Sequence, residues 1–328
     1  MTLEKYLIEA KKLKVHFPVS SGSVKSLFEN RKKSFVKAVD GVDFYIKNQE
    51  TLALVGESGC GKTTTGRALI GLNKPTDGEI IFNGDKVDHI SYKDAQKLRK
   101  QMQFIFQDPF SSLNPRMTVK TIIGRPMIAN GICTHLETKE RIEWLLKEVG
   151  LSVNQLDRFP HEFSGGQKQR ISIARALAVE PKLIIADEPT AALDVSIQCQ
   201  ILNLLFKLKE ELGLTMLFIS HDLSVVNYIS DRTAIMYLGK IVEIGSTKEI
   251  FKNPAHPYSK ALVDALPRHG HKKVNNAVKL NEFISSAVNP PSGCNLHPRC
   301  PYALKRCKTD LPLLKNLDDG RQAACHLL

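Results

Sequence analysis

The sequence predicts an α/β fold: a parallel-sheet core with a β-rich start, a helical insertion and a small, loop-rich C-terminal module. Three observations lead to it. Leu52, Ala53, Leu54 and Val55 form a continuous apolar run that ends in glycines and passes into a helical stretch at 62–72. Two more apolar runs, 183–186 and 215–219, flank a segment in which Ile197, Ile201, Leu204, Leu205 and Leu208 fall on one helical face. Continuous apolar strands alternating with helices are what a parallel sheet covered on both faces requires. Past Phe251, no long periodic segment survives among Pro254, Pro257, Pro290, Pro291, Pro298 and Pro301, which leaves a loop-built module.

Each element has its own signal. Residues 5–55 are strand-like, broken by a polar, basic stretch at 20–34, and 35–46 alternates well enough for a half-buried antiparallel strand. Between 118 and 179 the chain is helical: Ile142, Leu145, Leu146 and Val149 recur at spacings of three and four, and Gly150 is placed to end that helix. No repeat of solenoid or propeller period is present. The 328 residues, 42% hydrophobic and 24% charged, suffice for one large core or two domains, here 1–255 and 256–328. The apolar runs are strand-sized, far short of the ~20 residues that cross a bilayer. Residues 1–14 carry neither an apolar export core nor a cleavage site, so the expectation is a cytosolic chain that does not span a membrane. The formal charge is +12, and after Pro267 ten Lys/Arg face four Asp/Glu. Such a balance suits nucleic acid, an anionic membrane surface or phosphate-bearing ligands, and does not choose among them.

The chemistry is carried by three segments. Gly56-Glu57-Ser58-Gly59-Cys60-Gly61-Lys62-Thr63 fits the pattern G-x-x-x-x-G-K-S/T between a buried strand and a helix, where the mechanism needs it. Glycines let successive N–H groups face phosphate oxygens, the helix N-terminus adds positive potential, Lys62 neutralises the β/γ-phosphates and Thr63 offers its hydroxyl to Mg²⁺. The run 183–186 ends in Asp187-Glu188, a pattern in which the aspartate holds magnesium through water and the next carboxylate touches the attacking water. Phe163-Ser164-Gly165-Gly166-Gln167 opens a helix at 168–178 and makes a second anion site. One nucleotide rarely needs two such sites from one chain, so the economical reading gives this one to a γ-phosphate held by a partner subunit. In isolation S-G-G-Q is a commonplace helix cap and Asp-Glu-Pro a solvated turn. Order and combination carry the reading.

In that order, residues 5–255 resemble the ATP-binding cassette (ABC) ATPases. The resemblance implies a RecA-like P-loop core with an antiparallel β subdomain and a helical subdomain at about 115–178. It implies ATP contacts from Gly56, Glu57, Ser58, Gly59, Cys60, Gly61, Lys62, Thr63 and Thr64. Gln107, in Phe106-Gln107-Asp108-Pro109, matches the Q-loop glutamine; Asp194, in Ala192-Leu193-Asp194, the D-loop; His221, in Ser220-His221-Asp222, the switch histidine. Phe17 aligns with the aromatic that stacks on adenine. Phe163 stands where many members have leucine, retaining an apolar anchor. The expected roles follow: Glu188 polarises the lytic water, Lys62 and His221 stabilise charge on the γ-phosphate, and Thr63, Gln107 and Asp187 hold Mg²⁺. Ser164, Gly165, Gly166 and Gln167 bind the ATP of an opposing protomer as two cassettes close head to tail. ATP favours the closed dimer because it touches both faces, and hydrolysis removes the phosphate that joins them.

Seven cysteines in a cytosolic chain argue against disulfides. Four are clustered as Cys294-x5-Cys300-x6-Cys307-x17-Cys325. Four thiolates suit tetrahedral zinc or an iron–sulfur cluster, and the lack of tight C-x2–4-C knuckles favours the cluster. Arg299, Lys305, Arg306 and Lys308 would offset the thiolate charge. Cys60, Cys133 and Cys199 are read as structural or incidental. Asn253-Pro254-Ala255-His256-Pro257-Tyr258 and His297-Pro298-Arg299-Cys300-Pro301 resemble the C-terminal extension of oligopeptide/dipeptide permease ATPases, in which this cysteine pattern implies a 4Fe-4S cluster. The Phe-Ser-Gly-Gly-Gln signature is similar to that of the F-type subunit. That implies a D-type ATPase partner, two transmembrane permease subunits and an extracytoplasmic substrate-binding protein, at the cytoplasmic face of the cell membrane and without nucleic acid. Residues 110–118 are the candidate permease contact. A nickel or other small-solute importer is the near alternative. A soluble ABC ATPase acting on nucleic acid or ribosomes, suggested by the charge, is the alternative of another class, opposed by a single cassette and no sustained heptads.

Overall fold

A computed structural model describes residues 6–19, 34–88, 92–134, 137–266, 278–281 and 286–328; the basic stretch at 20–33 lies outside them. In chain order the elements are β1 (Tyr6–Pro18), β2 (Phe35–Lys47), β3 (Thr51–Val55), α1 (Lys62–Leu69), β4 (Asp77–Phe82), β5 (Asp85–Lys86), α2 (Tyr92–Gln101), β6 (Met102–Ile105), α3 (Pro109–Ser112), α4 (Val119–Ala129), α5 (Thr138–Glu148), α6 (Gly165–Leu177), β7 (Leu183–Asp187), α7 (Val195–Leu212), β8 (Thr215–Ser220), α8 (Leu223–Ile229), β9 (Arg232–Tyr237), β10 (Lys240–Ser246), α9 (Thr247–Lys252), α10 (Pro257–Asp264), β11 (Lys315–Asn316) and β12 (Gln322–Ala323). They fall into two compact units, Met1–Ile46 with Leu52–His89 and Ser220–Leu328, and Lys47–Thr51 with Ile90–Ile219.

The first unit holds the glycine loop. Its β-rich start is an antiparallel sheet in the order β2-β1-β4-β5, with Ile8 opposite Phe82. β1 buries Leu7, Ile8, Ala10, Leu13 and Val15, and an irregularity between Lys11 and Lys14, with Lys12 at φ 49, interrupts its alternation before Leu13 and Val15. Its other strands run β11-β12-β10-β9-β3. Every residue of β3 is buried, and it lies parallel to β9 with Leu54 opposite Ala234.

The β9–β10 hairpin is not foreseen by the sequence reading, and its turn explains why. Leu238 sits at φ 42 and Gly239 at φ 77, so a leucine occupies the left-handed position that asparagine or aspartate usually announces.

The C-terminal residues share this unit's core. β12 adds to β10 antiparallel, Ala323 opposite Glu243. Leu296 is buried with Ile235, Tyr237, Val242, Ile250 and Tyr258, and Cys294 and Cys300 pack against that cluster. Glu243, fully buried, accepts backbone N–H bonds from Ala255 at 3.0 Å and His256 at 2.9 Å, and pairs with the Arg321 guanidinium at 3.1 Å.

The second unit holds the parallel strands β6, β7 and β8, with Gln103 opposite Ile184 and Ile184 opposite Met216. The helical region is α4, α5 and α6, packed on one another, with 3-10 turns at Val153–Gln155 and Pro160–Glu162 between the last two. α5 buries Ile142, Leu145 and Leu146, and Gly150 ends it at φ 71. α7 buries Ile201, Leu202, Leu204, Leu205 and Leu208, while Ile197 is only partly covered.

Candidate functional site

In the first unit, buried β3 delivers the chain into the loop 56–61 and α1 leaves it. Gly61 caps α1 with φ 112 and no side-chain hydrogen bond, which leaves that helix's first-turn N–H groups without a side-chain cap. A Cβ there would sit 2.0 Å from the Ala38 carbonyl oxygen, so only glycine fits. Lys62 is 5% exposed, and its Nζ donates to the carbonyls of Gly56 at 2.8 Å and Glu57 at 3.1 Å. A buried cation folded back on its own loop is a charge held ready for an anion. Burial pushes the Cys60 thiol up, so it stays a neutral wall of the loop. Thr65 Oγ1 donates to the Gly61 carbonyl at 3.0 Å, bracing the first turn of α1 around Thr63 and Thr64.

Glu57 has partners that sequence reasoning did not foresee. Its carboxylate accepts two bonds from Arg299, at 2.9 and 3.0 Å, and its N–H donates to Tyr258 Oη at 3.0 Å. Arg299 was expected to offset thiolate charge; its guanidinium fork is instead committed to the glycine loop. These partners lie 242 and 201 residues away along the chain, and the only sequence signal was that both belong to the C-terminal motifs. Phe17, near the end of β1, is 40% exposed, and its neighbour His16 bonds Asp40 at 2.9 Å. His221 is exposed at the end of β8, followed by Asp222, whose carboxylate caps α8 through the Ser224 N–H at 2.8 Å.

In the second unit, Asp187 is 2% exposed and ends β7. Glu188 follows with φ 44, a left-handed backbone that a non-glycine residue adopts at a cost of about 1–2 kcal/mol. Its N–H donates to the Ile219 carbonyl at 2.9 Å, and its Oε2 accepts from Gln107 Nε2 at 2.9 Å. The two residues expected to handle water and metal thus meet each other.

The signature and D-loop segments also meet. A Cβ on Gly165 would lie 3.2 Å from Leu193 and one on Gly166 2.5 Å from Ile197, so the glycines admit the start of α7 against that of α6. Ser164 Oγ and the Gln167 side chain cap α6 reciprocally, and Ser164 is exposed. Asp194 is the N-cap residue of α7 and is also exposed. Phe110, 55% exposed, stacks under Lys168 with Nζ 4.1 Å from its ring centre.

All seven cysteines are free thiols. Among the described residues no three His, Cys, Asp or Glu side chains are grouped to hold a metal ion. Burial pushes the Cys294 thiol up to about 11, with smaller contributions from the Cys307, Cys325 and Cys300 thiols. Burial likewise raises Cys300 and Cys325.

The strand, glycine loop and helix with a buried lysine in the first unit are those of a P-loop nucleotide-binding protein, and the second unit has a strand ending in paired acids. A family model described as ABC transporter matches residues 39–191, and one described as oligopeptide/dipeptide transporter, C-terminal region, matches 242–307. The chain is 50% identical over 325 residues to the oligopeptide transport ATP-binding protein AppF of Bacillus subtilis, covering 98% of this chain and 97% of the relative. It is 44% identical over 319 residues to the dipeptide transport ATP-binding protein DppF of Haemophilus influenzae, covering 97% and 96%. Among solved structures, the cbiO1 subunit of the Clostridium perfringens cbiONQ complex is 30% identical with a TM-score of 0.64, over 76% of this chain and 92% of that one. The cassette MJ0796, solved as a post-hydrolysis dimer with ADP and Pi, is 29% identical with a TM-score of 0.64, over 73% and 98%. The chain belongs to the ATP-binding subunits of the oligopeptide/dipeptide ABC transporter family. Among the described residues, no helix is long and apolar enough to cross a membrane.

Proposed function

We propose that this chain is the ATP-hydrolysing subunit that powers import of di- or oligopeptides through a membrane ABC transporter. The observation that carries this reading is that similarity to peptide-transport subunits runs through both the cassette and the C-terminal region. The loop fits a triphosphate: a buried ammonium and a helix N-terminus without a side-chain cap both call for an anion.

In the proposed cycle the γ-phosphate draws Lys62 off the Gly56 and Glu57 carbonyls. Glu188, released from Gln107, orients a water and takes its proton as the water oxygen bonds phosphorus and the bond to the ADP oxygen breaks, giving ADP and Pi. His221 stabilises charge on the transferred phosphoryl group. Thr63, Gln107 and Asp187 are hard oxygen donors suited to Mg²⁺, which neutralises the β/γ-oxygens when bound. Phe17 stacks on adenine, and Ser164 to Gln167, with Asp194, face the nucleotide of an opposing protomer.

That protomer is a D-type ATPase in this reading, and the pair works beneath two permease subunits supplied by an extracytoplasmic binding protein, at the cytoplasmic face. Phe110, exposed beside the signature helix, supports 110–118 as the permease contact. We further propose the division 1–255 for the cassette, with its helical subdomain at about 115–178, and 256–328 for the extension. In the extension, Cys294, Cys300, Cys307 and Cys325 hold a 4Fe-4S cluster in this reading, supported by their spacing in the sequence, by Cys294 and Cys300 packing on one buried cluster and by the Cys294 N–H donating to the Cys307 carbonyl at 2.9 Å. An anaerobic preparation should carry about four irons per chain, and stoichiometric zinc without iron would reverse that assignment.

Uptake of labelled peptide into vesicles holding the reconstituted transporter tests the whole reading. ATP-driven uptake that disappears with Lys62→Ala is expected. Nickel transport in place of peptide, or co-purification with RNA instead of permease, would overturn it.

A further inference from the structure

Glu57 is the second residue of the phosphate loop, and three of its groups are engaged at once. Its carbonyl accepts from Lys62 Nζ at 3.1 Å, its N–H donates to Tyr258 Oη at 3.0 Å, and its carboxylate receives the Arg299 fork at 2.9 and 3.0 Å. Two of these three partners come from beyond residue 255, the third is the loop's own lysine. The clamp has a rigid base. Tyr258 is fully buried, and its ring meets that of Tyr237 at 4.8 Å between centres. Arg299 Nη1 also lies 3.4 Å from Tyr237 Oη, and the Arg299 backbone is tied at both ends, its N–H to Leu296 and its carbonyl to the Asn281 N–H.

We infer that Arg299 is a positioning residue for the phosphate loop: acting through Glu57, and together with Tyr258, it holds the loop in the shape that accepts a triphosphate, so that nucleotide affinity depends on the folded C-terminal module. The inference rests on the loop being the ATP site. Its physical basis is preorganisation. A loop with glycines at 56, 59 and 61 loses much conformational freedom when it closes on phosphate, and a tether in place beforehand removes part of that loss. A bidentate guanidinium–carboxylate pair fixes direction as well as distance, which a lysine does not. The Arg299 and Glu57 side chains are 18% and 45% exposed, so solvent screens the pair and the effect is modest.

The test measures binding of a non-hydrolysable ATP analogue to the purified full chain, and KM and kcat for ATP in the assembled transporter. Arg299→Ala should weaken binding and raise KM by about two- to five-fold, the range for a partly screened ion pair, with kcat within about twofold. Glu57→Gln should weaken analogue binding by a similar factor, and the double variant should be no worse than either single one, because both remove one interaction. Arg299→Lys should recover part of the affinity. Unchanged affinity in Arg299→Ala, or effects that multiply in the double variant, would overturn the inference. Should Arg299→Ala fail to fold, Glu57→Gln carries the same measurement from outside the C-terminal module. Lys62→Ala separates the two levels. If it abolishes binding while Arg299→Ala does not weaken it, the inference alone falls; if neither change affects binding, the loop is not the ATP site and the underlying reading falls too.

Discussion

Arg321→Ala removes one half of a buried ion pair, and the structure allows its consequence to be worked out. Glu243 is 0% exposed and Arg321 3%. The carboxylate would keep its backbone donors, Ala255 and His256, but lose the guanidinium at 3.1 Å. Breaking one side of a buried pair typically costs 3–5 kcal/mol because the survivor is left uncompensated. The two remaining N–H bonds hold Glu243 to the lower end, about 3 kcal/mol. Arg321 also donates to the Asn253 carbonyl at 2.6 Å, so the turn before α10 loses a tie as well. Urea unfolding of the full chain measures the loss, and the C-terminal strand pairing Ala323 with Glu243 should become the first protease-sensitive segment. The pair Glu243→Gln with Arg321→Met should recover most of the stability, since neither charge then remains buried. A loss below about 1 kcal/mol for Arg321→Ala, or a double variant as weak as the single one, would refute the reasoning.

Two further outcomes are expected. His256 is 1% exposed, and burial lowers its pKa from 6.5 to about 4, while its Nδ1 accepts the Tyr258 N–H at 3.1 Å. The unfolded chain takes up a proton below about 6.5 that the folded chain refuses until about 4, so stability falls as pH drops through that window and is intact above it. The whole contribution is at most about 3 kcal/mol, and thermal melts at neutral pH and at mildly acidic pH should converge in His256→Asn. Gly61→Ala would drive a methyl group to 2.0 Å from the Ala38 carbonyl at φ 112; ATP-analogue binding should be lost, and retention of wild-type affinity would contradict the described loop.

The strand, glycine loop and helix at 51–69 were legible because the glycine pattern and the local geometry are the same residues: Gly61 both permits the close approach to Ala38 and caps α1. The helical face of α7 and the buried β7 were legible from periodicity, since burial alone decides those positions. The β9–β10 hairpin was not, because Leu238 adopts a left-handed turn without the residue that normally signals it. Nor was the place of the C-terminal residues. Proline-rich text hides a two-residue strand, and nothing local says that Arg321 will reach Glu243 or that Arg299 will reach Glu57 rather than the thiols beside it. Long-range pairs of this kind are set by tertiary packing, to which a sequence window is blind.

The proposed role of Glu188, readying water for attack on the γ-phosphate, is tested most directly by ATP turnover of the assembled transporter carrying Glu188→Gln. The amide keeps the shape and a hydrogen bond to Gln107, which lies 2.9 Å from the carboxylate, but does not accept the proton. ATP should still bind, and turnover should fall by at least ~10²-fold, the scale of losing a positioned base. Turnover near that of the unaltered transporter would contradict the assignment.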